Sequence, residues 1–182
     1  MDGYAPIRLL IILAAAEDDD NNGELHLARL APPYYLFKDM LADVVLASPL
    51  GGAPLMVGGS GQDPRHDEGT RRFVADRLAR DDLADTLRLD QIVVDDFDAA
   101  FCIGFSGSIW EADNLGVASI IGTFLNEGKP VAIIPGQRLD MAPHGAGAGL
   151  LIVGDSQETP LLAAHALLEI VMERRRDHLT RS

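Results

Sequence analysis

The sequence predicts an α/β fold of three layers, a mainly parallel central sheet with helices on both faces. Two observations carry this. Five short apolar runs, at Ile7 to Leu13, Val44 to Ala47, Ala99 to Ile103, Val131 to Ile134 and Leu150 to Val153, lack polar alternation, as strands buried on both faces do. Helical patterns and irregular stretches fill the intervals, and strands that alternate with helices make a parallel sheet covered on both sides.

The first run begins after Asp2 and flows into Glu17-Asp18-Asp19-Asp20, without the basic flank or cleavage site of a signal peptide, so it reads as the first strand. Leu30 to Leu41 reads as a helix with Pro32 and Pro33 in its first turn, where a missing N–H costs little. Gly51 to Asp67 is rich in Gly, Pro and Ser and predicts an irregular excursion; Asp67 to Leu89 predicts one or two short charged helices. Val117, Ile120, Ile121 and Phe124 form one apolar stripe on a helix ending near Gly128. Thr159 and Pro160 make a cap and first turn for a last helix through Leu168 and Val171 toward Arg174, Arg175 and Arg176, whose charge complements the helix dipole.

Composition narrows the function. The 182 residues are 47% apolar and show no linker or repeat, which predicts one domain over 1–182. A formal charge of −13 opposes nucleic acid and anionic membranes, and no run approaches the roughly 20 apolar residues of a membrane helix. A single cysteine, Cys102, excludes an intrachain disulfide and a multi-cysteine zinc cluster and fits the cytoplasm. Lysine occurs only at positions 38 and 129 against many arginines, a bias of GC-rich bacterial genomes.

Five ordered strings are more specific than any of this: Ala31-Pro32-Pro33-Tyr34-Tyr35-Leu36-Phe37-Lys38-Asp39, Leu46-Ala47-Ser48-Pro49-Leu50-Gly51-Gly52, Thr70-Arg71-Arg72-Phe73, the turn from Gly104 to Trp110, and Gly128-Lys129-Pro130-Val131-Ala132. Together they resemble the ThiJ/PfpI superfamily, in the branch of glyoxalase III-type enzymes and small stress chaperones. The resemblance covers about residues 5 to 135 and implies a flavodoxin-like, class I glutamine amidotransferase-like sandwich that generally dimerises, so a homodimer or higher homo-oligomer is expected. It also implies a strand-to-helix elbow holding a nucleophilic cysteine beside a supporting glutamate. At the elbow this chain reads Ile133-Ile134-Pro135-Gly136-Gln137-Arg138, with Pro135 in the place of the thiol, and the place of the glutamate is taken by Arg29. Cysteine-dependent glyoxalase, protease or amidotransferase activity is therefore not expected. Only eleven residues, 139–149, separate Arg138 from the last strand at Leu150, where the superfamily inserts more pocket wall.

The resemblance assigns the turn Gly104-Phe105-Ser106-Gly107-Ser108-Ile109-Trp110-Glu111 and the N–H of Gly136 to an oxyanion-binding role, able to hold a carbonyl oxygen, enolate or carboxylate. The competing reading is that the glycines only let the turn close. Gln137, Arg138 and Arg29 offer donors to a carbonyl or carboxylate ligand, against a reading in which Arg29 pairs with Glu24. His26 and Glu111 are candidates for moving protons, with His144 on a glycine-rich segment, and Trp110 is a candidate pocket wall or packing anchor. His66 and His178 read as solvated, and His165 as a packing or interface residue. Cys102, inside a strand, reads as core. Asp18, Asp20, Asn22 and Gly23 copy the first half of a calcium loop, but its twelfth position falls on Arg29, so no metal site is expected. No cofactor is expected either.

Two functions fit. One is a cofactor-independent acid/base enzyme (lyase, hydratase, isomerase or cyclase type) acting on a carbonyl-bearing metabolite, with a place in a bacterial biosynthetic pathway. The other is an inactive homologue that binds a ligand or partner as a dimer.

Overall fold

The structure, a computed structural model, describes residues 5–13, 25–54, 56–57, 67–105, 116–135, 151–153 and 160–181. Eight strands are present among them: β1 (Arg8–Leu13), β2 (Leu25–His26), β3 (Asp43–Ser48), β4 (Met56–Val57), β5 (Leu87–Arg88), β6 (Ala99–Phe105), β7 (Val131–Pro135) and β8 (Leu151–Val153). Five α-helices accompany them: α1 (Leu27–Asp39), α2 (Glu68–Ala75), α3 (Arg77–Ala84), α4 (Val117–Asn126) and α5 (Pro160–Arg181).

Six strands form one sheet in the order β5-β3-β1-β6-β7-β8, and every neighbouring pair is parallel. Without the two-residue edge strand β5, the remaining five follow the flavodoxin order. The five apolar runs of the sequence are the five long strands.

Side chains alternate between the two faces as the strand period requires. Leu9, Ile11 and Leu13 of β1, Phe101 and Ile103 of β6, and Ile134 of β7 join the core beneath α1, α2, α3 and α5. Leu10 and Ile12, Cys102, and Ile133 join the opposite core, beneath α4 and the 3-10 segments at Leu89–Gln91 and Val94–Asp96. Burying each large side chain contributes on the order of 2 kcal/mol. Phe37 of α1 meets Phe101 of β6 edge to face at 5.7 Å and ties the first helix to the middle of the sheet.

The crossovers explain which helix covers which face. Moving from β1 to β3 and on to β5, the chain places α1, α2 and α3 on one side; moving the other way from β6 to β7 it places α4 on the other. The direction reverses between β1 and β6. In such sheets the crevice beyond the carboxyl ends of the two diverging strands is where ligands bind.

Several local expectations need correction. The first helix starts at Leu27 and ends at Asp39, so Pro32 and Pro33 lie in its second turn rather than its first. Leu27, Leu30 and Ala31 bury against the sheet, and this burial offsets the two backbone bonds that the prolines forgo. Within the Gly51–Asp67 stretch, β4 pairs in parallel with β2, so part of it is regular. His165 is exposed on α5 rather than packed. The last helix continues past the three arginines to Arg181.

α1 closes with Ala42 N–H donating to the Phe37 carbonyl at 2.9 Å and Leu41 at φ 60°. That left-handed position is one glycine usually fills, and it costs a leucine about 1 kcal/mol.

Candidate active site at the carboxyl edge of the sheet

β1 ends at Leu13, in register with Ile103 of β6, which is in register with Ile134 of β7. One step further Phe105 pairs with Pro135, and the register shifts between Ile103 and Phe105. Gly104 sits inside the shift at φ 92°, where a side chain would be strained, so the sequence bends β6 as it leaves the sheet. Phe105 and Pro135, two residues read from the sequence as pocket residues, are thus backbone neighbours at the carboxyl edge.

The start of α1 comes to the same edge, because α1 is the crossover that returns from the end of β1 to the start of β3. β2, which packs against β6, runs directly into it, so His26 closes the strand and Arg29, partly buried, lies in the first helical turn. Ser106, Gly107, Trp110, Glu111, Gly136, Gln137, Arg138 and His144 lie outside the described residues, as does the acidic stretch carrying Asp18, Asp20, Asn22 and Gly23. Among the described residues no cluster of His, Cys, Asp or Glu is arranged to hold a metal ion.

Cys102 is on β6, two residues before Gly104, with no exposed surface. Burial alone pushes its thiol well above the ordinary range, so the thiolate that nucleophilic chemistry needs is suppressed. Its side chain packs with the α4 core, as the sequence reading expected.

Other strings prove to be braces around the site. At the end of β3, the buried Ser48 hydroxyl lies 2.7 Å from that of Thr86, which donates to the Gly52 carbonyl at 2.5 Å. Gly51, at φ 73°, leaves no room for a side chain: a Cβ there would lie 2.6 Å from Cγ of Arg88. The tyrosine pair serves the helical layer. Tyr34 donates to Asp82 at 2.9 Å and Tyr35 to Asp76 at 3.0 Å, while Phe73 packs edge-on against both rings. Burial first, and then the hydrogen bonds to the two carboxylates, push both phenols upward. Sequence reasoning did not pair these residues, because the partners lie more than forty positions apart.

A cleft of about 630 Å³ runs between the segment around Val94 and α4, from Pro49, Leu50 and Gly116 to Glu127. Its floor is apolar and its rim carries Asp90, Asp95 and Glu127, a poor setting for an anionic group.

No protein-family model matches the chain, and no curated protein does. Solved structures do share the fold. The Rapid Encystment Protein 24 KDa (REP24) of Francisella tularensis superposes with a TM-score of 0.66 at 13% identity, over 91% of this chain and 99% of that one. The crystallographic structure of APC35852 superposes with a TM-score of 0.59 at 20% identity, over 93% of this chain and 100% of the other. Both are similarities of fold, and they place the chain among three-layer α/β sandwiches. No described helix is long and apolar enough to cross a membrane.

Proposed function

We propose that this chain is a cytoplasmic ThiJ/PfpI-type protein whose cysteine and glutamate have been replaced, and that it is a cofactor-independent acid/base enzyme acting on a carbonyl-bearing metabolite. The observation that carries the reading is the convergence at the reversal point of the sheet: the Phe105–Pro135 pairing, the bent backbone at Gly104 and the first turn of α1 with Arg29 share one edge, while the cysteine of the same strand is sealed in the core.

Each residue then has a task. Arg29 fixes the carboxylate or carbonyl of the substrate through its planar donor fork. The N–H groups after Gly104 and that of Gly136 receive the oxygen on which negative charge develops. His26 and Glu111 move the proton: from one carbon to another in isomerisation, from carbon to a leaving hydroxyl in elimination, and in the reverse sense from the attacking water to carbon in hydration. The resemblance gives Gln137, Arg138, His144 and Trp110 a part in ligand binding. No covalent bond to the protein is needed.

The test is a melting-temperature screen against small keto acids, hydroxy acids and enols. A ligand at about one hundred times its Kd stabilises the fold by about 2.7 kcal/mol, which raises the melting point of a chain this size by about 5–10 °C. The expected result is such a shift in the wild type, lost in Arg29→Ala and His26→Ala variants whose unliganded melting is unchanged. If no compound in the screen moves the wild type, or if both variants respond as it does, the reading is wrong.

A further inference from the structure

At the opposite, amino edge of the sheet, a pocket of about 230 Å³ opens between the turn that leads into β7 and the face of α5 that carries Val171, Arg174, Arg175 and His178. We propose that this pocket binds a small soluble phosphate, with Arg174 as its principal contact. The chain has fifteen lysines and arginines and a formal charge of −13, yet three of the fifteen, Lys129, Arg174 and Arg175, line this one small pocket together with a histidine. Such a concentration opposes the sign of the rest of the surface and draws anions to one place.

Neither the helix dipole nor a described carboxylate accounts for Arg174. The dipole attracts cations to the last turn of a helix, but α5 runs on to Arg181, so Arg174 lies about two turns inside it. The acidic residues of the same helix, Glu169, Glu173 and Asp177, recur at every fourth position on another face, and none of them lines the pocket. Arg174 is half-buried and gives one N–H to the Gly128 carbonyl, while its other N–H groups have no partner among the described residues. An acceptor in the pocket completes a guanidinium left in that state.

The two carboxylates that line the pocket, Asp98 and Glu127, are already neutralised. Asp98 gives both oxygens to Arg175, at 3.3 and 2.7 Å, and one of them also accepts from the Arg8 N–H at 2.8 Å. Glu127 is paired with Lys129 at 3.5 Å, and the same ammonium donates to the Val94 carbonyl at 2.7 Å. The charge left over belongs to Arg174, with His178 about one turn further along the same face. These groups stand on two banks, Lys129 on the turn and Arg174 and His178 on the helix. A planar carboxylate is served by a single guanidinium fork, whereas a tetrahedral phosphate turns separate oxygens to both banks. Val171 and Pro130, both buried, complete the lining and strengthen the electrostatics by lowering the local dielectric. A chain of charge −13 is repelled by an anionic bilayer, so the phosphate is a soluble one.

The experiment is isothermal titration calorimetry of the full chain with inorganic phosphate, from about 0.1 mM to about 10 mM at constant ionic strength, a range that brackets a millimolar site. The wild type is expected to bind one phosphate per chain, and Arg174→Gln to bind it about tenfold more weakly, the worth of one hydrogen bond to a charged group. Arg176→Gln removes the same charge from an exposed neighbour outside the pocket and is expected to bind as the wild type does. Glu127→Gln takes a negative charge from the lining and is expected to bind more tightly, a gain that a cluster serving only to brace the fold does not give. His178→Gln leaves the contact of Arg174 with Gly128 in place and is expected to weaken binding, so the proposal stays testable if Arg174→Gln fails to fold. No heat from the wild type overturns the proposal, as does equal binding by the wild type and His178→Gln or a loss in Arg176→Gln equal to that in Arg174→Gln. Acetate bound as tightly as phosphate would give the pocket to carboxylates, and sedimentation with vesicles of phosphatidic acid and phosphatidylcholine would give it to a lipid surface; either result overturns it as well. The outcome is independent of the proposed enzyme activity, whose residues His26 and Arg29 stand at the other edge.

Discussion

The Arg72 guanidinium lies 3.8 Å from the centroid of the Tyr35 ring and at the same time holds both oxygens of Asp39 at 2.8 Å. One side chain of α2 thus clamps two residues of α1. The Asp39 pair is exposed on both sides and is screened, so the stacked and buried half of the arrangement matters more. Tyr35→Phe, which keeps the ring and deletes only the hydroxyl bonded to Asp76, is expected to cost about 1 kcal/mol, or about 2–4 °C in melting temperature. Arg72→Ala removes the stack together with the screened pair, so it is expected to lose stability at low salt and to keep most of that loss in high salt. Thermal melts of the two variants at low and high ionic strength check this; a loss for Arg72→Ala that vanishes in high salt would contradict it.

The same helical layer sets an acid limit on stability. The hydrogen bonds from Arg72 hold the Asp39 carboxyl below its usual 3.8. For Asp76 burial pushes upward, but the Ala79 N–H, the Tyr35 hydroxyl and the Leu78 N–H outweigh it, and its pKa is also lowered. A carboxylate with a depressed pKa in the folded state binds fewer protons there than when unfolded. Its stabilisation is therefore complete above 3.8 and fades as pH falls through the lower folded values. The urea midpoint is expected to fall between about pH 5 and about pH 2. Asp76→Asn keeps an N-cap for α3 and removes one titrating group, so its midpoint is lower at neutral pH and declines less steeply in acid. An unchanged slope in that variant would place the acid sensitivity elsewhere.

The sheet was legible in the sequence because its strands are buried on both faces: Leu9 to Leu13 and Ala99 to Ile103 have no solvated side to interrupt the apolar run. Val117, Ile120, Ile121 and Phe124 announced α4 for the matching reason, a single buried stripe. The start of α1 was not legible, since two adjacent prolines signal a first turn and only burial of Leu27 and Leu30 against the sheet extends the helix ahead of them. Leu41 gave no sign of its left-handed angle, which glycine or asparagine would have signalled. At the site, Gly104 near the end of β6 and Pro135 at the end of β7 stand at the carboxyl edge. The tyrosine–carboxylate pairs and the amino-edge pocket depend on contacts between distant segments, and no local pattern encodes those.

Cys102 offers the sharpest check on how the site works. Its sulfur is enclosed by the α4 core and its pKa is raised by burial, so it has neither access nor a thiolate. In native buffer it is expected to resist Ellman's reagent, with one thiol per chain appearing only when the fold is opened by denaturant. Cys102→Ala is expected to cost about 1 kcal/mol, the loss of one small buried group, and to leave ligand-induced stabilisation unchanged. Rapid labelling of the native protein, accompanied by loss of that ligand response in Cys102→Ala, would mean that the strand opens to expose its sulfur. The chemistry at the carboxyl edge would then be covalent after all.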